Sequence, residues 1–583
     1  MFSSAIEEYI LTSGILISFI GFLVFAARGR KDISHAIASA GINRKMLIAA
    51  LVVVLLFASL ELLLVKPTQQ LFFDDVIYQG GALDMLHMGQ AWMCNYGTPT
   101  QCFTGLIFHE PVGTSFNIAI AFFIAGVHQY SAYALFFFLG ALSVFLVFLI
   151  TMLMFKRFEY AIFAEALMAL SPALLVWTFP TTSDLTMLAY SLIAVFSVMI
   201  FTYRKGINTL GMVTFSIALA MYMKVDAAIY VVLIPLIYLM LDDESIAKSL
   251  RNNFRRIRDN ALNTKVLLMV LLFVIAASSE LMYTVNEYNV GIYRYNNTMI
   301  QDTCSFTNGN VTYINVTHNF DLQNFGANAC VNTLFWFGTL QGGSNSYHIM
   351  QPIFFTFLAA MGAMVMLAYY RRQALALIVW FFAFFVLYAS FYAGSVTYGV
   401  DWRFMLSMIA QVGILGGFGA GAIIIAAKRL AGMRSYVIAI AIISLLIAYS
   451  FYMVAPDIAI SPSSISQAQQ ARFYQNFVYS NASAIPRSCL VFSFDPELFN
   501  LNGLSAMQFG NITSAYTESG LSSYLNKYPC LVVDYGYWCY TSGFEGLCNE
   551  VKSTFVLSPI ATARDNFSGE NTLYGFYSIN GLR

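Results

Sequence analysis

Charge is what this sequence has least of. Only 10% of its 583 residues are Asp, Glu, Lys or Arg, against 59% hydrophobic residues, and the formal net charge is zero. A chain so apolar cannot cover itself as a soluble globule, and without a surplus of Lys and Arg it does not suit a nucleic-acid partner. Also missing are a Walker loop, a Rossmann glycine fingerprint and any zinc-ligand spacing, which removes the usual signatures of nucleotide and zinc chemistry. The sequence has no internal repeat and no low-complexity segment. Its first apolar stretch follows Glu7 and Glu8 rather than a basic leader, so no cleavable signal peptide is expected.

What is present is a series of apolar stretches, read as spans at about Tyr9–Ala27, Met46–Val65, Ala132–Phe155, Ala161–Phe179, Leu185–Tyr203, Thr209–Met223, Ala227–Leu241, Val266–Met282, Pro352–Tyr370, Ala374–Tyr392, Met405–Ala427 and Tyr436–Val454. Twenty of the thirty Lys and Arg fall in the short connectors Arg28–Lys45, Lys156/Arg157, Arg204/Lys205, Lys248–Lys265, Arg371/Arg372 and Lys428–Arg434, and all eight Cys fall elsewhere. Basic loops stay cytoplasmic and disulfides need an oxidising compartment, so the two distributions test one topology independently. They agree if Gly113–Val127, at about fifteen residues too short for a bilayer core, lies along the interface rather than crossing it. Sequons at Asn296, Asn310, Asn315, Asn481, Asn511 and Asn566 then all face outside.

This reading gives a polytopic α-helical membrane protein with about twelve transmembrane helices plus juxtamembrane helices, multi-pass in the cell membrane. Residues 1–45 form an additional N-terminal helix and a basic cytoplasmic loop, and 46–454 the main transmembrane module with exterior loops 66–131 and 283–351. Residues 455–583 form a small extracytoplasmic α/β domain, whose short Val- and Leu-rich runs at Cys489–Phe494 and Cys530–Val533 read as strands. Isolation on separate loops pairs Cys94 with Cys102 and Cys304 with Cys330. The tail's Cys489, Cys530, Cys539 and Cys548 allow three connectivities.

Chemistry is therefore sought among charges at the outer face. Asp74 and Asp75 follow the second span, and adjacent carboxylates repel one another, which moves one toward general-base work; a solvated helix start, favoured by the helix dipole, explains them as well. Cations are scarcer. Before the tail only Lys66, Lys224, Arg294 and Arg403 lie outside, and Lys224 and Arg403 sit at span ends where a charge needs a partner. A lipid phosphate is one such partner; a local ion pair, Lys224 with Asp226 or Arg403 with Asp401, is the other.

The order of these motifs resembles the GT-C superfamily of polyprenyl-phosphate-dependent glycosyltransferases, above all protein O-mannosyltransferases and the aminoarabinose transferases of lipid A. Phe73-Asp74-Asp75-Val76-Ile77-Tyr78 resembles that family's Asp-Glu-x-x-Tyr pattern, with Asp75 where Glu is usual. His109-Glu110-Pro111-Val112-Gly113 resembles its His-Pro-Pro-Leu-Gly turn, with Glu110 for the first Pro and Thr114 for the Lys that often follows. Ser171-Pro172 with Thr182-Ser183-Asp184 resembles its second acidic site, and Trp402-Arg403-Phe404 its Arg-Tyr motif.

The resemblance, which covers about Met46 to Val454, implies a GT-C-like fold and a lipid-linked monosaccharide donor, with inverting transfer outside the cytoplasm to a protein, lipid or glycan acceptor. It implies catalytic roles for Asp74, Asp75 and Asp184, with Asp74 as base, and substrate-binding roles for Tyr78, His109, Glu110, Lys224 and Arg403. No cofactor is required. The three acids are oxygen donors of the kind a divalent metal accepts, although their spacing does not demand one. Two alternatives are an oligosaccharyltransferase-like enzyme, because Val533-Asp534-Tyr535-Gly536 echoes a Trp-Trp-Asp-Tyr-Gly motif, and a multi-pass transporter, which would use intramembrane acids such as Glu165, Glu61 and Glu280.

Overall fold

The computed structural model describes residues 4–65, 67, 72–107, 111–241, 268–278, 280, 297–303, 310–316, 322–337, 351–391, 401–464, 466–541, 543–565 and 572–583. His109, Glu110 and Cys304 lie outside the described residues, as does much of the exterior loop 283–351.

The helical body begins with α1 (Ser4–Arg28), α2 (Arg30–Ser39) and α3 (Arg44–Leu64), the last capped by the Asn43 side chain accepting from the Met46 amide at 3.1 Å. It continues through α4 (Phe72–Met88), α5 (Gly113–Ala125), α6 (Gln129–Phe155), α7 (Phe158–Ala169), α8 (Pro172–Trp177), α9 (Ser183–Tyr203), α10 (Ile207–Met223) and α11 (Tyr230–Leu241). Then come α12 (Leu268–Ser278), α13 (Leu322–Phe337), α14 (Ile353–Tyr369), α15 (Arg371–Ser390) and α16 (Leu406–Ser464). Among the described residues six helical stretches are long and apolar enough to cross a membrane: Ile10–Arg28, α3, α6, α9, α15 and the run Arg403–Pro456. Shorter apolar helices, α5, α10, α12, α14 and the stretch Val225–Leu241, stand among them.

The expected span Ala161–Phe179 is corrected to two helices. Pro172 lacks an amide proton and its ring excludes a helical predecessor, so α7 ends at Ala169 and α8 starts afresh behind Ser171. A second break falls at Gly432, whose φ of 78° lies outside helical space and separates α16 into the two apolar halves expected from the sequence.

The tail follows with α17 (Ser466–Asn481), α18 (Pro496–Leu501), α19 (Glu518–Lys527) and α20 (Glu545–Thr554) around strands β5 (Leu490–Ser493), β6 (Ser505–Gln508), β7 (Leu531–Tyr535), β8 (Phe555–Asp565) and β9 (Thr572–Leu582). Its sheet reaches outside residues 455–583. The hairpin of β1 (Trp92–Thr98) and β2 (Gln101–Ile107), from the first exterior loop, joins it in the order β2-β1-β6-β5-β7-β9-β8, with Tyr96 opposite Met507 and Gly97 opposite Ala506. A separate hairpin, β3 (Asn297–Thr303) with β4 (Asn310–Val316), lies in the second loop.

Disulfides join Cys94 to Cys102, Cys489 to Cys530 and Cys539 to Cys548, which selects one of the three tail connectivities; Cys330 is disulfide-bonded as well. One face of the sheet shares its apolar core with α4, because Val76 is buried among Tyr474, Val478, Leu498 and Phe576. Gly80, one turn further along α4, lies so close to Glu497 that a Cβ there would sit 2.7 Å from the Glu497 Cγ.

Candidate active site

Four elements that are remote in sequence bring their ends together. The start of α4 supplies Asp74 and Asp75; the turn before α9 supplies Thr181, and the first turn of α9 supplies Asp184. The end of α10 leads into Lys224 and Asp226, and the short 3-10 turn Asp401–Met405 supplies Arg403. Acids at helix starts are favoured by the positive end of the helix dipole.

The charged groups form a chain of alternating sign. Arg403 Nη1 donates to Asp74 Oδ2 at 2.9 Å, and Arg403 Nε lies 3.6 Å from Asp184 Oδ2. Lys224 Nζ donates to Asp184 Oδ1 at 2.7 Å and pairs with Asp226 Oδ2 at 3.2 Å. The Asp184 side chain is 1% exposed and Lys224 7%, whereas Arg403 is 17% and Asp74 29% exposed. Removing ions from water is costly unless each is paired, so the buried end is held by mutual neutralisation, and Asp74 and Arg403 form the more open end. Phe404 packs its ring 4.3 Å from Lys224 Nζ, and Tyr388 donates to Asp226 Oδ2 at 3.2 Å while sharing a 3.0 Å hydrogen bond with Ser407.

Asp75 faces another way. It is fully buried, and its Oδ1 accepts from the Thr181 amide at 2.5 Å and from the Thr181 hydroxyl at 3.0 Å. Gln79 Nε2 donates to the same hydroxyl at 3.1 Å. Asp75 thus fixes α4 to the turn before α9. Arg472 of α17 is an electrostatic neighbour of Asp75 and Tyr133; burial pulls its guanidinium down to about 10, against the opposing pull of those two groups.

The structure therefore brings together Asp74, Asp184, Lys224 and Arg403 of the expected set, and gives Asp75 a neighbouring but separate role. Tyr78 is 2% exposed and lies in the core of the helical body. Thr114 is buried and hydrogen-bonds Thr186 at 2.8 Å. Tyr388, Ser407, Thr181 and Arg472 were not singled out. Only Thr181 carried a sequence signal, as the start of the hydroxyl run before Asp184.

Among the described residues, one group of ligand-type side chains, Asp84, Cys94 and Cys102, is close enough to share an ion, and its two thiols are consumed by their disulfide. Asp534, in the oligosaccharyltransferase-like echo, is 2% exposed. It accepts from Ser493 at 2.7 Å and from the Tyr474 hydroxyl, and burial pushes it up to about 7, so the echo serves the interior of the tail. Glu61 and Glu165 are buried, with carboxylates that accept no hydrogen bond among the described residues, and neither joins the charged chain.

Residues 109–275, which include Asp184, Lys224 and Asp226, match the family model of dolichyl-phosphate-mannose-protein mannosyltransferases. No curated protein matches the sequence. Among solved structures, ArnT from Cupriavidus metallidurans in the apo state aligns over 93% of this chain and 98% of its own, at 13% identity and a TM-score of 0.52, which establishes a shared fold. The same protein bound to undecaprenyl phosphate aligns at 12% identity over 91% of this chain and 97% of its own, with a TM-score of 0.49. The archaeal oligosaccharyltransferase AglB from Archaeoglobus fulgidus, in complex with an inhibitory peptide and a dolichol-phosphate, aligns at 11% identity over 90% of this chain and 74% of its own, with a TM-score of 0.49.

Over residues 109–275 the chain is thus similar to the dolichyl-phosphate-mannose-protein mannosyltransferases, and over almost its whole length it shares the fold of ArnT.

Proposed function

We propose that this protein transfers a monosaccharide from a polyprenyl-phosphate donor to a hydroxyl of a protein, lipid or glycan acceptor on the extracytoplasmic face, with inversion. The observation that carries this reading is the solvent-facing end of the charged chain, where a carboxylate, Asp74, and a guanidinium, Arg403, stand side by side and are both partly exposed. Such a pair serves the two ends of one displacement. The acceptor oxygen forms its bond to the anomeric carbon and gives its proton to Asp74. The bond from that carbon to the phosphate oxygen breaks, and its electron pair leaves with the phosphate, stabilised by Arg403 and, behind it, Lys224. Asp184 orients both cations, and Asp75 holds α4 in register with α9. The family match of residues 109–275, to dolichyl-phosphate-mannose-protein mannosyltransferases, supports the proposed donor class.

The test is transfer of label from a panel of polyprenyl-phosphate sugars in membranes holding the protein. Asp74→Asn keeps size and polarity but cannot take the proton, so turnover is expected to fall by about two to four orders of magnitude while the donor still binds. Arg403→Ala is expected to weaken donor binding as well as turnover. Silence of both variants, with transfer intact, removes these residues from the reaction.

A further inference from the structure

The contacts of Arg403 set a condition on donor binding. A guanidinium grips a phosphate best through two neighbouring N–H groups, either the Nη1/Nη2 edge or the Nε/Nη2 edge. Here Nε is buried, 3.6 Å from Asp184, so the Nε/Nη2 edge is closed to an arriving ligand, and on the remaining edge Nη1 is bound to Asp74 at 2.9 Å. A two-point grip on that edge competes with Asp74 for Nη1. Asp184 is the harder to move, being 1% exposed and also held by Lys224 at 2.7 Å. Asp74 is the easier, being 29% exposed.

The geometry points to a latch: Arg403 holds Asp74 until the phosphate of the donor takes its place, and only then is the Asp74 carboxylate free to accept a proton from the acceptor. This rests on the transferase reading and adds to it an order of events, donor before acceptor. The latch keeps the base occupied while no leaving group is seated. It also makes Asp74 a competitor of the donor for Arg403, and the apparent affinity for the phosphate is reduced by the fraction of molecules in which the latch is closed.

The consequence runs against the usual expectation for a catalytic base. Asp74→Asn, which removes the competing charge, is expected to tighten binding of a polyprenyl monophosphate to the full-length protein by roughly three- to tenfold while abolishing transfer. In an Arg403→Lys background, which keeps a cation but loses the fork, the same substitution is expected to change affinity by less than twofold, since a general effect of one negative charge would persist there and a latch would not. Titrations with polyprenyl monophosphate and with inorganic phosphate, followed by calorimetry, separate the lipid headgroup from the free anion as the ligand.

Equal or weaker binding by Asp74→Asn overturns the latch and leaves the transferase reading standing. Equal tightening in both backgrounds also overturns it, in favour of simple charge repulsion. If neither the wild type nor Asp74→Asn binds either phosphate, the transferase reading fails and the latch fails with it.

Discussion

The charged residues of the site were legible because they are so few. In a chain that is 10% charged, a Lys or Arg outside the basic connectors is conspicuous, and Lys224 and Arg403 both lie in the chain of paired charges. Their partners were less so. The sequence offered Asp226 and Asp401 as neighbours, and Lys224 does pair with Asp226 at 3.2 Å, but the further pairings of Arg403 with Asp74 and of Lys224 with Asp184 join positions 329 and 40 residues apart, which no local rule anticipates. Tyr388 was hidden among 35 tyrosines. In the tail, the buried Asp534 has a folded pKa raised to about 7, above its ordinary value of 3.8, so between those limits the folded state holds a proton that the unfolded state has lost. Stability from this group is therefore expected to fall as pH rises from about 4 to about 7 and then to level off. Asp495, whose burial beside Glu497 and Asp534 raises it too, and Glu497, raised to about 7 by burial, add in the same sense. Asp534→Asn should flatten part of this slope, which thermal unfolding of the purified protein at pH 4.5 and 7.5 would reveal as a smaller difference in Tm.

The individual helices were the most readable elements, since apolar runs of span length declare themselves, but hydropathy does not distinguish one span from two half-helices. That is why Ala161–Phe179 was read as continuous although its Ser171-Pro172 pair was in view. Nor does it show which helix faces touch. Between α14 and α16, a Cβ on Gly362 would lie 1.9 Å from the Leu415 carbonyl oxygen, and one on Gly419 would lie 2.2 Å from that of Leu358. Helices inside a membrane gain little from apolar burial against one another and rely on such close approach. Gly419→Val should force them apart at a cost of about 1–3 kcal/mol, detectable as a lower Tm and a smaller monodisperse fraction on size exclusion, with Gly546→Val on the exposed surface as the silent comparison.

At the scale of the whole molecule, the tail strands were anticipated, but the company they keep was not. Strand β1 meets β6 across more than four hundred residues, and such pairing depends on tertiary geometry rather than on any local pattern. The expected orientation, basic connectors inside and disulfides outside, makes a direct prediction. Lys156 and Glu550 are both exposed, and every described cysteine is disulfide-bonded, so an introduced thiol should stand out. A membrane-impermeant thiol reagent applied from outside should label Glu550→Cys and miss Lys156→Cys until the membrane is opened. Labelling of both before permeabilisation would reverse the topology for at least one of these segments.

The burial of Val76 in the tail core bears on how such a protein can be re-engineered. It stands two positions after Asp74, and on the same helix Gly80 rests against Glu497. A chimera that exchanges residues 455–583 alone would therefore fit a foreign surface beneath the helix that aims the proposed base and would leave β1 without its matched neighbour. The transplantable cassette is discontinuous: residues 72–107 must travel with the tail, and a tail moved without them would no longer support the helix that carries Asp74.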